Sequence, residues 1–114
     1  MKLPNADYAI VERAKVVAYL VNPSHRHNRG KAAFFAALGY STSLADALRD
    51  VLLTLARTGE VVRRVDRRYG EIVVVEGLLP RHTGEGPSRP IRTVWIIDHG
   101  FDVPRLVTAY PGKR

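Results

Sequence analysis

Between Asn22 and Phe35 the chain reads Asn-Pro-Ser-His-Arg-His-Asn-Arg-Gly-Lys-Ala-Ala-Phe-Phe. Histidine changes charge nearest neutral pH, so His25 and His27 are natural proton carriers for chemistry at pH 7. Asn22-Pro23 ends whatever precedes it, because the residue before a proline is pushed out of the α region. Gly30 tolerates backbone that comes close to a ligand. Lys31 falls in the first turn of the next helix, where the helix dipole disfavours a cation. Free N–H groups plus a cation at a helix start make an anion site. The competing reading is a solvated basic loop followed by a core helix, the ordinary fate of such a segment.

A second set of polar groups stands near the C-terminus: Thr93, Trp95, Arg105, Thr108 and Tyr110. Cleaving RNA without a metal needs few parts. One group takes the proton from a ribose 2′-OH, cations stabilise charge on the phosphate, and another group protonates the leaving oxygen. The ribose supplies the nucleophile, so no catalytic Ser or Cys is required. His25 as base or acid, Lys31 and Arg105 on the phosphate, and Thr108 or Tyr110 as a hydrogen-bond donor form such a kit. Arg26, His27, Arg29, Arg92 and Tyr110 are the candidate nucleic-acid contacts. In a regular strand Arg105 and Thr108 point to opposite faces. They converge only if Arg105 precedes the strand or a bulge intervenes.

Other chemistries find little support. His25-x-His27 with distant carboxylates matches no strong zinc spacing, and neither a metal nor a cofactor is expected. No P-loop, GxGxxG turn, Gly-x-Ser-x-Gly elbow or obvious carboxylate pair is present. His82 and His99 fall in turns and read as solvated residues. Trp95, the single Trp, reads as core rather than as a stacking platform.

The elements that must position these groups follow from periodicity. Residues 1–9 have little and read as an irregular arm. Glu12–Leu20 has apolar residues at helical spacing until Asn22-Pro23 stops it. Gly30–Leu38 reads as a second helix with Gly39 as its stop. Leu44, Leu48, Val51, Leu52 and Leu55 form the stripe of a third helix. Ser43 with Asp46 is a near capping box at its start. From Glu60 the period becomes that of strands. Val61–Tyr69 is either a frayed strand or a basic loop, whereas Glu71–Leu79, Ile91–Asp98 and Arg105–Tyr110 read as strands. Pro80–Pro90 is a Gly/Pro-rich hairpin loop. The expectation is an α+β domain spanning 1–114. Its three N-terminal helices (about 10–58) pack on one face of a C-terminal three- to four-stranded antiparallel sheet (about 60–110).

Composition bounds the partner. The 114 residues carry 18 Lys and Arg against 11 Asp and Glu, a formal charge of +7, and the pI is near 10.2. Fourteen of the cations are arginine, which suits bidentate contacts with phosphate. Nucleic acid is the default partner of so basic a domain. An acidic protein is the alternative. No cysteine is present, which excludes disulfides and fits a reducing compartment. No apolar run approaches the roughly 20 residues of a membrane span, and the N-terminus lacks the apolar core of a secretory signal. The expectation is a cytoplasmic protein without membrane contact. Its oligomeric state is not legible.

Leu3-Pro4-Asn5-Ala6, the run Lys15…Tyr19-Leu20-x-Asn22-Pro23-x-His25, and Gly30-Lys31-Ala32-x-Phe34-Phe35 resemble a family of small uncharacterised bacterial domains. Gly39-Tyr40, Tyr69-Gly70, Thr93-x-Trp95 and Arg105-Leu106-Val107-Thr108-Ala109-Tyr110 extend the resemblance to the C-terminus. Such domains stand alone or end polymorphic toxins, and some are paired with a small SH3-like protein in the manner of an antitoxin. The layout resembles the wider barnase, EndoU, colicin and RelE group of RNase toxins. The resemblance implies metal-independent RNA cleavage leaving a 2′,3′-cyclic phosphate, with His25, Lys31, Arg105 and Thr108 at the matching positions. It also implies a small acidic SH3-like antitoxin as partner. In the family a Pro often follows the loop His and a Gly precedes the basic stretch; here Arg26-His27-Asn28-Arg29 intervene. Two further readings stay open: a non-catalytic nucleic-acid-binding module, and a basic partner of an acidic protein.

Overall fold

Hydrophobic alternation in the C-terminal half builds a four-stranded antiparallel meander. The computed structural model describes residues 1–21 and 29–112, with only the backbone of residues 18, 19 and 29. The strands are β1 (Glu60–Arg67), β2 (Gly70–Leu79), β3 (Arg89–Asp98) and β4 (Arg105–Pro111), in the order β1-β2-β3-β4. The segment left open between strand and basic loop is therefore a strand. Opposite residues of an antiparallel pair share a face. Val73, Val75, Ile91, Trp95, Leu106 and Ala109 are buried on one face, and they join Leu48, Leu52 and Phe35 of the helices in one core cluster.

The helical half matches the expectation only in part. Helix α1 keeps an α conformation over Arg13–Lys15 and continues as a π segment, Val16–Leu20. The Val21 N–H donates to the Val16 carbonyl at 3.1 Å, the long i to i+5 step. Helix α2 spans Arg29–Ala37 and α3 spans Ala45–Thr58. They do not form one layer over the strands. α3 lies against β2, α2 leans on β4, and α1 packs on α3. The close seat of α3 is set by Gly77, where a Cβ would come within 2.7 Å of Leu55 Cδ2.

Helix ends follow backbone geometry more than side-chain caps. Gly39 adopts φ +92°, as its place after α2 suggested. Its N–H donates to the Ala36 carbonyl at 2.9 Å, and the Tyr40 N–H donates to the Phe35 carbonyl at 2.9 Å. This is the Schellman pattern, completed by burial of both Tyr40 and Phe35. The capping box expected from Ser43 and Asp46 does not form. A 3-10 turn, Thr42–Leu44, supplies a backbone bond there, and Arg13 draws away the Asp46 carboxylate at 2.9 Å.

The N-terminal arm is more ordered than its lack of periodicity implied. It forms a 3-10 turn over Ala6–Tyr8 and buries Leu3 and Val11. The Ile10 N–H donates to the Pro104 carbonyl and the Leu106 N–H to the Ile10 carbonyl, both at 2.9 Å. At the far edge of the sheet the Val61 N–H donates to the Met1 carbonyl at 2.8 Å. Sequence periodicity misses such contacts because one bridged residue has no period.

Trp95 belongs to the core. It is fully buried, and its indole N–H donates to Thr93 Oγ1 at 2.8 Å, while that hydroxyl donates to the Val75 carbonyl at 3.1 Å. Thr93 is the one buried polar residue among the described residues, and it satisfies both the ring and itself. Thr93→Val keeps the shape but strands the indole N–H in the interior. It should cost about 1–3 kcal/mol of stability, read as a lower urea midpoint with an unchanged slope; an unchanged midpoint would show that the ring needs no partner.

Candidate functional site

The register of β4 decides which polar groups share a face. Ile96 lies opposite Arg105 and Trp95 opposite Leu106, but Val94 lies opposite Thr108. One residue is inserted on β4 between these pairs, a β-bulge. Arg105, Thr108 and Tyr110 consequently stand opposite Ile96, Val94 and Arg92, alternate positions of β3 on the face away from Trp95. The separation between the partners of Arg105 and Thr108 is two residues, about 7 Å along the strand.

Lys31 is brought to this strand by α2. The helix buries Ala32 and Phe35 and packs on β4, and the Lys31 ammonium donates to Thr108 Oγ1 at 2.9 Å in a part-buried setting. Two of the four candidate catalytic residues, 77 positions apart in sequence, therefore touch. His25, Arg26 and His27 lie outside the described residues, as does the side chain of Arg29. The anion site expected at the start of α2 lies outside them too.

Two further candidate cations, Arg105 and Arg92, are engaged by carboxylates. Arg105 Nη2 donates to Asp98 Oδ2 at 3.2 Å, and Arg92 Nε donates to Glu76 Oε2 at 2.9 Å. The bond to Glu76, with a further one to the Tyr110 hydroxyl, raises the Arg92 pKa above its ordinary value. Arg92 and Tyr110 are thus neighbours, whereas Arg105 is drawn toward the β3–β4 turn. Sequence reasoning missed Asp98 and Glu76 as partners, because pairing them with Arg105 and Arg92 requires the registers of two hairpins. It also missed a cleft of about 270 Å³ beside Arg105, lined by Ile10, Asp98, Phe101 and Val103. Its walls come from the arm and a turn.

The two other histidines are exposed, as their turns suggested. His82 packs edge-on against Tyr40, with ring centroids 5.7 Å apart. His99 Nε2 lies 3.2 Å from the Arg67 carbonyl. Among the described residues no group of three or more His, Asp or Glu is arranged to hold a metal ion. None of their helices is long and apolar enough to cross a membrane.

An antiparallel meander backed by helices that reach its last strand defines a small α+β domain with a polar strand–helix junction. The family model described as "Domain of unknown function (DUF6883)" matches residues 2–113, and the chain belongs to that family. Among solved structures, the fold is shared by a chain of the contact-dependent growth inhibition toxin–immunity protein complex from Klebsiella pneumoniae 342. The TM-score is 0.69 at 14% identity, over 96% of this chain and 97% of that one. No curated protein matches the chain.

One ion pair gives the sheet a readable pH dependence. Arg64 holds Glu71 by two bonds, Nε to Oε2 at 2.9 Å and Nη2 to Oε1 at 2.6 Å. The Arg64 hydrogen bond lowers the Glu71 pKa from its ordinary 4.5. A depressed carboxylate stabilises the fold above the unfolded-state pKa, and that contribution fades as pH falls through the folded-state value. The pair is partly exposed, so its worth is at most about 1 kcal/mol. Glu71→Gln should lower stability at pH 7, and the loss should shrink as the pH falls below 4.5 and through the depressed folded-state value of Glu71; a loss that does not change with pH would assign the effect to packing.

Proposed function

We propose that this protein is a toxin-like, metal-independent ribonuclease that cleaves RNA by attack of a ribose 2′-OH on the adjacent phosphate. The observation that carries this reading is the Lys31–Thr108 contact at 2.9 Å, in a chain whose residues just before Lys31 include His25, Arg26, His27 and Arg29. In the reaction the 2′ oxygen forms a bond to phosphorus as the bond to the 5′ oxygen breaks. This leaves a 2′,3′-cyclic phosphate and a free 5′-OH. His25 takes the 2′ proton or supplies one to the leaving oxygen. Lys31 stabilises charge on the phosphate oxygens, with Thr108 orienting the ammonium or donating its own hydrogen bond. Arg105 exchanges its single bond to Asp98 for the phosphate as its negative charge grows in the transition state. Arg26, His27, Arg29, Arg92 and Tyr110 extend the contact along the RNA. The charge of +7 supports a polyanionic substrate. The fold shared with a chain of a growth-inhibition toxin–immunity complex supports a toxin-like role with a protein partner, and the basic charge suits an acidic one that neutralises the protein in the cytoplasm.

A second reading, a non-catalytic nucleic-acid-binding module, is favoured by one observation. Arg92 and Arg105 are both already paired with carboxylates, as structural cations would be.

Purified protein incubated with total RNA in EDTA separates the two. Cleavage should be seen with the wild type, with cyclic phosphate ends on the products. It should fall by about 10²–10⁴-fold in His25→Ala and 10²–10³-fold in Lys31→Ala, with RNA affinity little changed. RNA bound but uncut by the wild type would sink the ribonuclease reading.

A further inference from the structure

The two edges of the sheet are treated differently. The start of the β4 edge is occupied by Ile10, which bridges in parallel to Arg105. At β1 only Val61 is covered, by the Met1 carbonyl. Beyond it, among the described residues, no main-chain group from another element bonds to the outer edge of β1. Half of the N–H and C=O groups of an edge strand point outward, which makes a template for another strand.

The side chains along this edge say what that strand carries. By register with β2, Arg63, Val65 and Arg67 share one face, opposite Val74, Ile72 and Gly70. Arg63, Arg67 and the following Arg68 are exposed and make no ion pair or side-chain hydrogen bond among the described residues. Arg92 and Arg105, on the strands beyond, are each paired. Exposed Val62 and Tyr69 flank the row.

We infer that the β1 edge is a docking surface for an extended acidic segment of another protein, which adds to the sheet as a fifth strand. Directly opposed side chains of neighbouring strands interact, so the segment carries acid, any, apolar, any, acid along one face. The acids meet Arg67 and Arg63, and the apolar residue meets Val65. A second copy of this chain is a poor occupant: antiparallel pairing centred on Val65 sets Arg63 of each copy against Arg67 of the other. An RNA strand pairs with the guanidiniums but offers no N–H row to the outward carbonyls. The fit is to a peptide backbone.

The test uses the full chain and a synthetic nine-residue peptide carrying Glu-Thr-Val-Thr-Glu at its centre. Binding is followed by anisotropy and by amide shifts. Binding should perturb the amides of residues 62–67, and should weaken by about tenfold when Arg63→Glu and Arg67→Glu are combined. A Lys-Thr-Val-Thr-Lys peptide should bind the double variant instead. Peptide N-methylated at alternate residues, on the edge that faces β1, should not bind. Unimpaired binding of the methylated peptide, or equal binding of a scrambled acidic one, would overturn the inference and leave a non-specific anion surface. So would sedimentation showing that the chain alone dimerises through β1. None of these readouts requires RNA cleavage, so the inference and the ribonuclease reading fail separately.

Discussion

A single inserted residue in β4 governs how this domain divides its side chains. Leu106 and Ala109 are three positions apart, an interval that puts them on opposite faces of a regular strand. The register shift lets both enter the core, opposite Trp95 and Thr93. The same shift aligns Arg105, Thr108 and Tyr110 on the other face. Without it, either the core would lose an apolar contact or the polar groups would be split between faces. The bulge sits on a strand with no further strand beyond its middle, where disrupting the ladder disturbs only one neighbour.

That division also explains why Trp95 is structural. An indole buried in the core needs one acceptor, and Thr93 lies two residues away on the same face. Its hydroxyl bridges to the Val75 carbonyl on β2, so the polar chain ties β3 side chains to the neighbouring strand without reaching solvent. A platform for base stacking would require the opposite: a ring on the open face with its edge in water. The open face instead carries Val74 and Ile96, each 7% exposed, opposite Arg63 and Arg105 respectively. Long guanidinium stems cover apolar surface while keeping their heads wet.

Elements whose burial repeats were legible; contacts made by single residues were not. The stripe of α3, the β-branched run Ile72–Val75 and the Gly39 stop each carry a local signal that survives folding. The Arg-rich segment of β1 was ambiguous because an edge strand exposed on both faces shows no alternation; its burial is set by the neighbour it pairs with. Ser43 and Asp46 have the spacing of a cap, but the Asp46 carboxylate pairs with Arg13 and the Ser43 hydroxyl lies 3.0 Å from the Ser41 hydroxyl. At the candidate site the residue types of Lys31 and Thr108 were legible and their contact was not, since it depends on α2 docking against β4. The bulge was recognisable only as a requirement, because one inserted residue leaves the apolar pattern of so short a strand nearly intact.

The charge of the chain is partitioned by the same geometry. On β3 and β4 each arginine of the open face has a carboxylate: Glu76 for Arg92, Asp98 for Arg105. These pairs fix side chains near the Lys31–Thr108 contact. On β1, among the described residues, the arginines of that face stand without counterions. Three strand spacings of about 4.8 Å separate β1 from β4, more than a Debye length at physiological ionic strength. Charge on one edge is therefore screened from charge on the other. A segment paired along β1 would leave the Lys31–Thr108 junction open, so such a partner acts there only by extending further across the sheet or by shifting β4.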